Sequence, residues 1–145
     1  MFDNDQLVDY GKINLSNISD IGDRLIMIRR WIRDLIEKYE IDEVYFEDIQ
    51  LQNNVANNVQ TFKILAEVFG VIHELLEEMS IPYTTVLAGT WKSTLGIKGK
   101  NRQEQKKNAQ LYVQNIYNLK PTQDECDAIC IGAHATKSRG FDWSN

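Results

Sequence analysis

The chain has 145 residues, the length of one domain, and a formal net charge of −5. The acidic balance argues against a protein that coats nucleic acid through its overall charge, although local charge still decides where a polyanion binds. The N-terminal residues lack the regions of a signal peptide, and no apolar run approaches the ~18 residues of a membrane span. Cys126 and Cys130 lie four residues apart in one predicted helix, where a mutual disulfide has poor geometry. We therefore expect a reducing, cytoplasmic location without membrane contact.

The first part of the chain predicts a strand, a helix and a second strand. Residues 6–13 alternate weakly between apolar and polar side chains, which indicates an edge strand or a hairpin arm. Apolar residues from Ile21 to Tyr39 then recur at helical spacing and predict an amphipathic helix. The short apolar run over residues 44–46 predicts a central strand that ends at Glu47.

The middle of the chain predicts a long helix, a strand and a loop. An amide-rich segment over residues 50–58 leads into a helix whose apolar positions continue to Leu76. Pro82 ends this region, because proline cannot continue the hydrogen-bond ladder of a helix. Residues 83–87 are rich in β-forming side chains and predict a strand, and residues 89–99 predict a loop or a short helix.

Two further helices are predicted in the last part of the chain. Residues 103–117 form the first, with Ile116 among its inward-facing residues. Thr122 and Glu125 are spaced as a capping box at the start of the second helix. Residues 138–145 then remain as a flexible tail.

The alternation of helices and strands predicts an α/β fold with a mixed, mostly parallel sheet flanked by helices. Right-handed crossovers place those helices on the faces of the sheet. No internal repeat or low-complexity linker interrupts the chain, so we expect residues 1–145 to form a single domain.

Three carboxylates lie where a divalent cation would bind. Asp124 and Asp127 are about 60° apart around a helix and point the same way. Taken alone, the pair is ordinary helix-start chemistry, because the helix dipole favours acids in the first turn. Glu47 is different, since it ends an apolar strand, and ligands of open α/β sheets bind beyond the carboxyl ends of strands. Oxygen ligands suit Mg²⁺, and two such ions about 4 Å apart can stabilise a displacement at phosphorus.

A basic segment lies between the strand over residues 83–87 and the last helix. It is suited to salt-sensitive contacts with phosphates, although a solvated loop and helix face is the ordinary explanation of such a cluster. Trp91 either stacks on a base or serves as a half-buried anchor. The basic residues are Lys92, Lys98, Lys100, Arg102, Lys106 and Lys107.

His134 ends a stripe of soft side chains in the last predicted helix. It follows Cys126 and Cys130 at helical spacing, but it lies ~10 Å of helix rise beyond Asp127, too far for one coordination shell. Because cysteine is among the most buried residue types, core packing explains the stripe better than a soft metal. His134 projects to the side of Asp127, so it is either structural or a group that assists near the phosphate without binding the metal.

The acidic and basic segments together resemble the RuvC family of Holliday junction resolvases. The strand Val-Tyr-Phe-Glu47-Asp-Ile, followed by a helix containing Phe-Gly-Val-Ile at 69–72, is similar to the family's second acidic motif. Asp-Glu-Cys-Asp-Ala-Ile at 124–129, closing on Gly-Ala-His at 132–134, is similar to its C-terminal Asp-x-x-Asp-Ala motif. Residues 82–107 resemble the DNA-contacting segment, so the likeness covers nearly the whole chain in the right order.

The resemblance implies an RNase H-like fold, a homodimer, and symmetric cutting of four-way DNA junctions that leaves a 5′-phosphate and a 3′-hydroxyl. It implies that Glu47, Asp124 and Asp127 are catalytic residues that bind Mg²⁺, with Mn²⁺ as a substitute. A two-fold dimer suits a two-fold substrate, because it presents two identical active sites. The many Asn, Ile and Lys residues and the compact size favour a phage or low-GC bacterial member, located in a bacterial or phage-infected cell.

The chain departs from the family pattern at two places. The family begins with a strand that carries an Asp, whereas Met1–Phe2 resembles the end of the second strand. We therefore expect a truncation, an internal start or a degenerate form that binds branched DNA weakly and cleaves it poorly. Gln50 stands where bacterial relatives often have an aromatic residue near the junction, and an amide stacks less well, so we expect relaxed junction selectivity.

Two other functions fit the same residues. One is a catalytically inactive, dimeric module that binds branched DNA and has lost its chemistry. It would differ from an enzyme in showing no stabilisation by Mg²⁺ at the acidic cluster. The other is an RNase H-like nuclease that acts on flaps or replication forks, which a comparison of cleavage on four-way, three-way and flap substrates would separate.

Overall fold

The computed structural model describes residues 1–50 and 55–143. Over these residues the chain forms five helices and two small sheets. The elements are β1 Phe2–Asp3, β2 Gln6–Leu7, α1 Ile21–Tyr39, β3 Val44–Glu47, α2 Val55–Glu78, β4 Tyr83–Val86, α3 Ala88–Thr94, α4 Arg102–Tyr117 and α5 Gln123–Trp143. The prediction of an α/β fold is confirmed, although the described strands are short. Part of the amide-rich segment predicted at 50–58, residues 51–54, lies outside the described residues.

The two sheets each pair two strands. β1 and β2 are antiparallel, with Phe2 opposite Leu7. β3 pairs with β4, and the N–H of Val44 donates to the carbonyl of Pro82 at 3.0 Å, so the beginnings of these two strands lie side by side. The strand predicted over residues 6–13 is wrong beyond Leu7. The N–H of Val8 still donates to the carbonyl of Met1 at 2.9 Å in the same register, so β1 leaves no further residues to pair with the rest of the predicted strand.

The helices begin and end where local chemistry favours it. The Asp20 side chain accepts the N–H of Asp23 at 3.0 Å and caps α1, which ends at Glu40 in the left-handed region. The predicted strand before Glu47 and the helices α1, α2 and α4 are confirmed within a few residues. α5 differs from its prediction, because it continues through Ser138 to Trp143 as helix. The flexibility predicted for residues 138–145 stays a prediction, and residues 144–145 lie outside the described part.

The chain divides into two compact units. The first contains residues 1–12, 45–47 and those from Val86 onward, and the second contains residues 13–44 and 48–85. Whether they act as the single domain predicted for residues 1–145 stays a prediction. In the first unit, α3, α4 and α5 share a core that includes Val86, Trp91, Leu95, Ile97, Ala109, Val113, Cys126, Ile129 and Cys130.

Two sequence predictions bear on that core. Cys126 and Cys130 are free thiols with no exposed surface, which confirms their role in packing. Ile116 was expected to face inward, but it is 59% exposed. The next residue, Tyr117, packs against the core instead, and the edge of its ring contacts Phe2 at a centroid distance of 6.0 Å.

The second unit is built on the contact between α1 and α2. Ile36 on α1 and Leu75 and Leu76 on α2 are its buried apolar residues. Arg29 joins the two helices at the surface by pairing with Glu74 at 3.3 Å and with Glu78. None of the helices in the described part of the chain is long and apolar enough to cross a membrane.

Candidate metal and nucleic-acid site

Glu47 ends β3 with its carboxylate accessible to solvent and one oxygen already bonded. The indole Nε1 of Trp91, on α3, donates to Glu47 Oε1 at 3.3 Å. Trp91 is only 2% exposed and belongs to the core, so the donor is held in place by packing on the rest of the ring. Of the two roles predicted for Trp91, base stacking is wrong for a ring this buried, and the role of an anchor is confirmed, although the ring is fully buried where half-burial was predicted.

Asp124 and Asp127 are placed by the start of α5. Thr122 and Glu125 form the predicted capping box, with the Glu125 carboxylate accepting the N–H of Thr122 at 3.1 Å and the hydroxyl accepting the N–H of Glu125 at 3.4 Å. Asp124 is exposed and Asp127 is half-buried. Gln123 Nε2 donates to Asp127 Oδ1 at 2.8 Å, which fixes the orientation of that carboxylate.

The acidic side chains influence each other's ionisation. Burial raises the pKa of Glu47, and the nearby Asp127 carboxylate adds to the rise, while the indole donor and Lys92 oppose it. Burial likewise raises the pKa of Asp127, with a further contribution from Asp124 and opposition from Gln123 and Lys92. Glu47 and Asp127, 80 positions apart in sequence, are therefore close enough to repel each other.

The chemistry of these donors fits Mg²⁺. All three are carboxylates, and Mg²⁺ is commonly bound by one or two carboxylates with the remaining positions left to water and substrate phosphate. Over the residues that the structure describes, no group of three or more potential ligands is gathered closely enough to hold a metal by itself. The arrangement is a Glu47–Asp127 pair with Asp124 beside it, and the full three-ligand site stays a prediction.

Lys92 reaches toward the carboxylates from α3 but is bonded elsewhere. Its Nζ donates to Gln105 Oε1 at 3.2 Å and lies 5.4 Å from the centroid of the Trp91 ring. Lys92 still lowers the pKa of both Glu47 and Asp127 through its charge. The site therefore holds a cation near two carboxylates without a direct ion pair between Lys92 and Glu47 in the described part of the chain.

The loop between α3 and α4 carries the other basic residues on a defined backbone. Gly96 has a φ of 70°, which favours glycine, and Gly99 approaches the backbone of Gln105 so closely that a Cβ would overlap it. Gln105 Nε2 donates to the carbonyl of Gly99 at 3.3 Å, and Asn108 donates to that of Lys98. The basic side chains on this loop and the start of α4 are exposed, namely Lys98, Lys100, Arg102, Lys106 and Lys107.

His134 is buried, with 8% of its surface exposed, on the inner face of α5. Its Nδ1 lies 2.9 Å from Thr94 Oγ1, and that hydroxyl donates its one proton to the carbonyl of Thr90 at 3.0 Å. In the arrangement in which the hydroxyl donates to Thr90, it accepts from Nδ1 of His134. Burial lowers the pKa of His134, which keeps the ring neutral. The ring joins α5 to α3, and its predicted role near the phosphate stays a prediction.

Gln50 follows β3 in the second unit, where its side chain is exposed. Its predicted role is contact with DNA. That role also stays a prediction.

Two residues of the site, Gln123 and Gln105, and the contact from Trp91 to Glu47 had not been identified from sequence. The Gln123–Asp127 bond follows the i, i+4 rule for helices, so its spacing was a readable signal. Gln105 combines a bond to Lys92 with one to Gly99, and the bond from Trp91 to Glu47 joins residues 44 positions apart. Contacts of that range leave no local pattern in the sequence.

A protein-family model described as "Crossover junction endodeoxyribonuclease RuvC" matches residues 3–134. The chain belongs to the RuvC family. A RuvC from Petrotoga mobilis is 38% identical over 76 residues, which are 52% of this chain and 44% of that protein. A RuvC from Ehrlichia ruminantium strain Welgevonden is 29% identical over 128 residues, which are 87% of this chain and 76% of that protein.

Solved RuvC structures share the fold. A Thermus thermophilus RuvC in complex with a Holliday junction substrate gives a TM-score of 0.69 at 15% identity, covering 88% of this chain and 75% of that one. A second Thermus thermophilus RuvC structure gives 0.66 at 18% identity, with 89% and 76% covered. The predicted RNase H-like fold is confirmed by these similarities.

Proposed function

We propose that this chain is a divalent-metal-dependent endodeoxyribonuclease that hydrolyses branched DNA, with the four-way junction as its main substrate. The observation that carries the proposal is the RuvC family match over residues 3–134. The nearby Asp127 carboxylate on α5, which contributes to the raised pKa of Glu47 on β3, supports it, because a bound cation would relieve the repulsion between two such carboxylates. The names of the RuvC relatives supply the substrate class.

In this proposal Glu47, Asp127 and Asp124 bind Mg²⁺, and Mn²⁺ can replace it. When bound, the ion supplies Lewis-acid stabilisation of the charge that develops on the scissile phosphate. Gln123 orients Asp127 and Trp91 orients Glu47, each through one carboxylate oxygen, and the second oxygen of each would be the one to bind the cation. Lys92, Lys98, Lys100, Arg102, Lys106 and Lys107 bind the DNA phosphates.

The test is single-turnover cleavage of a labelled four-way junction by three variants, Glu47→Gln, Asp124→Asn and Asp127→Asn. We expect each variant to lose at least about 100-fold in rate, because isosteric amides keep the shape but lose the charge that binds the cation. Junction binding should stay within about threefold of wild type. Asp34→Asn, an exposed carboxylate on α1, is the matched control. Normal cleavage by Asp127→Asn would contradict the proposal.

The same assay tests which DNA structure is cleaved and at what rate. Four-way, three-way and flap substrates of equal length separate a junction resolvase from a flap or fork nuclease. The expectation that this chain cleaves poorly stays a prediction, which the wild-type rate will decide.

A second candidate is a non-catalytic dimeric module that binds branched DNA. The absence of a group of three potential ligands over the described residues favours it. A module without a metal site gains no stability from Mg²⁺, whereas an enzyme with a site is stabilised by RT ln(1 + [Mg²⁺]/Kd). Thermal unfolding with increasing Mg²⁺, compared between wild type and Asp127→Asn, distinguishes the two.

We also propose that the chain is a homodimer and that it acts in the cytoplasm of a bacterial or phage-infected cell. Apolar side chains stand exposed on α2, where Val59 and Leu65 are 41% and 46% accessible in the single chain. The reduced state of Cys126 and Cys130 suits a reducing compartment. Sedimentation equilibrium tests the dimer, and a concentration-independent monomer mass would contradict it.

A further inference from the structure

We propose that Trp91 is a positioning residue for the metal site, which fixes Glu47 through its indole N–H and Lys92 through its ring face. The inference rests on the proposed function, because it assigns Trp91 to the same carboxylate. With 2% of its surface exposed, Trp91 has a single polar atom to satisfy, and Nε1 reaches Glu47 Oε1 at 3.3 Å. The packing that buries the ring therefore also sets the place of the donor.

The indole N–H of Trp91 is a neutral donor, so it can orient Glu47 without neutralising the carboxylate. A lysine or arginine at this place would neutralise Glu47 and compete with a cation for it. The indole N–H orients Oε1 while leaving the negative charge, so the carboxylate keeps its attraction for a cation. A free Glu side chain loses rotamer entropy when it is fixed in one orientation. Because the fold already fixes Glu47, less of that entropy is lost when a cation binds.

The ring face of Trp91 carries a second function. Lys92 Nζ lies 5.4 Å from the ring centroid and donates to Gln105 at 3.2 Å. These two interactions hold the ammonium beside the carboxylates without a direct pair to Glu47 in the described residues. One buried ring thus contacts both a carboxylate that attracts a cation and an ammonium suited to phosphate, and it fixes the position of each.

The decisive variant is Trp91→Phe, which keeps an aromatic ring and removes the N–H. We expect it to bind Mg²⁺ about 10-fold more weakly by calorimetry without DNA, since removing a group that orients a ligand costs 10–100-fold in affinity. In cleavage, the Mg²⁺ concentration for half-maximal rate should rise by a similar factor. The rate at saturating Mg²⁺ should stay within about threefold, which a general loss of folding would not give. Trp31→Phe on α1 is the matched control and should match wild type.

Nuclear magnetic resonance of the indole N–H groups gives a second test, in which the response to Mg²⁺ is read on wild type itself. The Trp91 signal is assigned by its loss in Trp91→Phe or by selective labelling, and it should move when Mg²⁺ is added to wild type but not to Glu47→Gln. Equal Mg²⁺ affinity in Trp91→Phe and wild type, or an indole signal that ignores Mg²⁺, would overturn the role of Trp91. If wild type itself binds no Mg²⁺, the proposed function fails together with it. If wild type binds and cleaves while Trp91→Phe is unchanged, only the positioning role fails.

Discussion

The ionised side chain of Asp127 lowers the stability of the folded protein, and the size of this effect depends on pH. Burial and the neighbouring Asp124 raise its pKa above the ordinary value of 3.8, so the folded state binds more protons than the unfolded state just above that pH. Stability therefore falls as pH rises through this interval and stays reduced at neutral pH. Asp127→Asn removes the charge and keeps an oxygen that can accept from Gln123.

We predict that Asp127→Asn raises the free energy of unfolding at pH 7, without metal, by on the order of 1 kcal/mol. The estimate is modest because solvent screens a half-buried carboxylate. At pH 3 the variant and wild type should converge. Urea unfolding in the presence of a chelator at both pH values measures this. Asp34→Asn should change stability by less than about 0.5 kcal/mol at either pH. If Asp34→Asn gained as much stability as Asp127→Asn, the effect could not be assigned to the site of Asp127.

Two helical glycines should respond to alanine in opposite directions. At Gly132 on α5 a Cβ would overlap the ring of Phe2, which is itself packed edge-on against Tyr117. At Gly70 on α2 a Cβ meets nothing within 4 Å. We predict that Gly132→Ala destabilises by roughly 1–3 kcal/mol through overpacking, less the helix-propensity gain. Gly70→Ala should stabilise by about 0.5–1 kcal/mol.

Chemical unfolding of the two alanine variants measures this contrast directly. A stabilised Gly132→Ala would show that Phe2 moves aside without cost. The smaller variant Phe2→Leu should then reduce the penalty at Gly132 if the overlap is its cause.

At the scale of the elements, α4 and α5 begin with the same kind of reciprocal cap. Asn101 accepts the N–H of Glu104 at 2.9 Å, and Glu104 accepts the N–H of Lys100 at 2.9 Å. Thr122 and Glu125 make the equivalent exchange before α5. The bonds from Thr122 to Glu125 also lower the pKa of the Glu125 carboxyl. Only the second cap supports a turn that carries Asp124.

We predict that Thr122→Ala and Asn101→Ala each cost about 1 kcal/mol of stability, the usual effect of removing a helix cap. Thr122→Ala should also weaken Mg²⁺ binding severalfold, because the first turn of α5 holds the carboxylates. Asn101→Ala should leave Mg²⁺ binding unchanged. Unfolding and calorimetry on the same samples separate the two effects, and equal Mg²⁺ affinity in both variants would contradict the link between cap and site.

The elements that sequence predicted are those whose signal is local. α1 has its periodicity and the Asp20 cap within one segment, and the α5 start has Thr122 and Glu125. The strand predicted over residues 6–13 was wrong beyond Leu7 because a strand extends only as far as its partner, and β1 offers only two residues. The inward orientation predicted for Ile116 was wrong, because helical spacing places a residue on one face of a helix but does not say how far the neighbouring helix extends.

In the candidate site, too, the features with a local signal were predicted from sequence and the long-range contact was not. Glu47, Asp124 and Asp127 were identified from their places at element ends, and the electrostatic coupling of Asp127 to each of the others is consistent with that grouping. The hydrogen bond from Trp91 to Glu47 was not predictable, because it depends on how α3 packs beside β3. A buried tryptophan in sequence predicts that its N–H needs a partner, but not which one.

For the whole molecule, one segment carries a local charge opposite in sign to the net charge of the chain. The chain has a net charge of −5, yet six cationic residues lie between positions 92 and 107, where Glu104 is the single acid. Net charge would repel DNA uniformly, whereas a basic segment attracts phosphate at one place. The proposal that this segment binds DNA can therefore be separated from a general charge effect by comparing variants of identical net charge.

We predict that neutralising three basic residues of the loop and α4 start weakens junction binding and flattens its salt dependence. The slope of log K against log salt falls by about 0.9 for each phosphate that is no longer neutralised, so the change should approach roughly 2–3. Fluorescence anisotropy from 50 to 200 mM salt, without Mg²⁺, measures it over the range where such binding weakens steeply. A control that removes three exposed cations from α1 and α2 alters net charge identically and should leave the slope unchanged. Equal slopes in the two variants would mean that total charge, not this segment, governs binding. The variants are Lys98→Ala/Lys100→Ala/Arg102→Ala and Arg30→Ala/Lys38→Ala/Lys63→Ala.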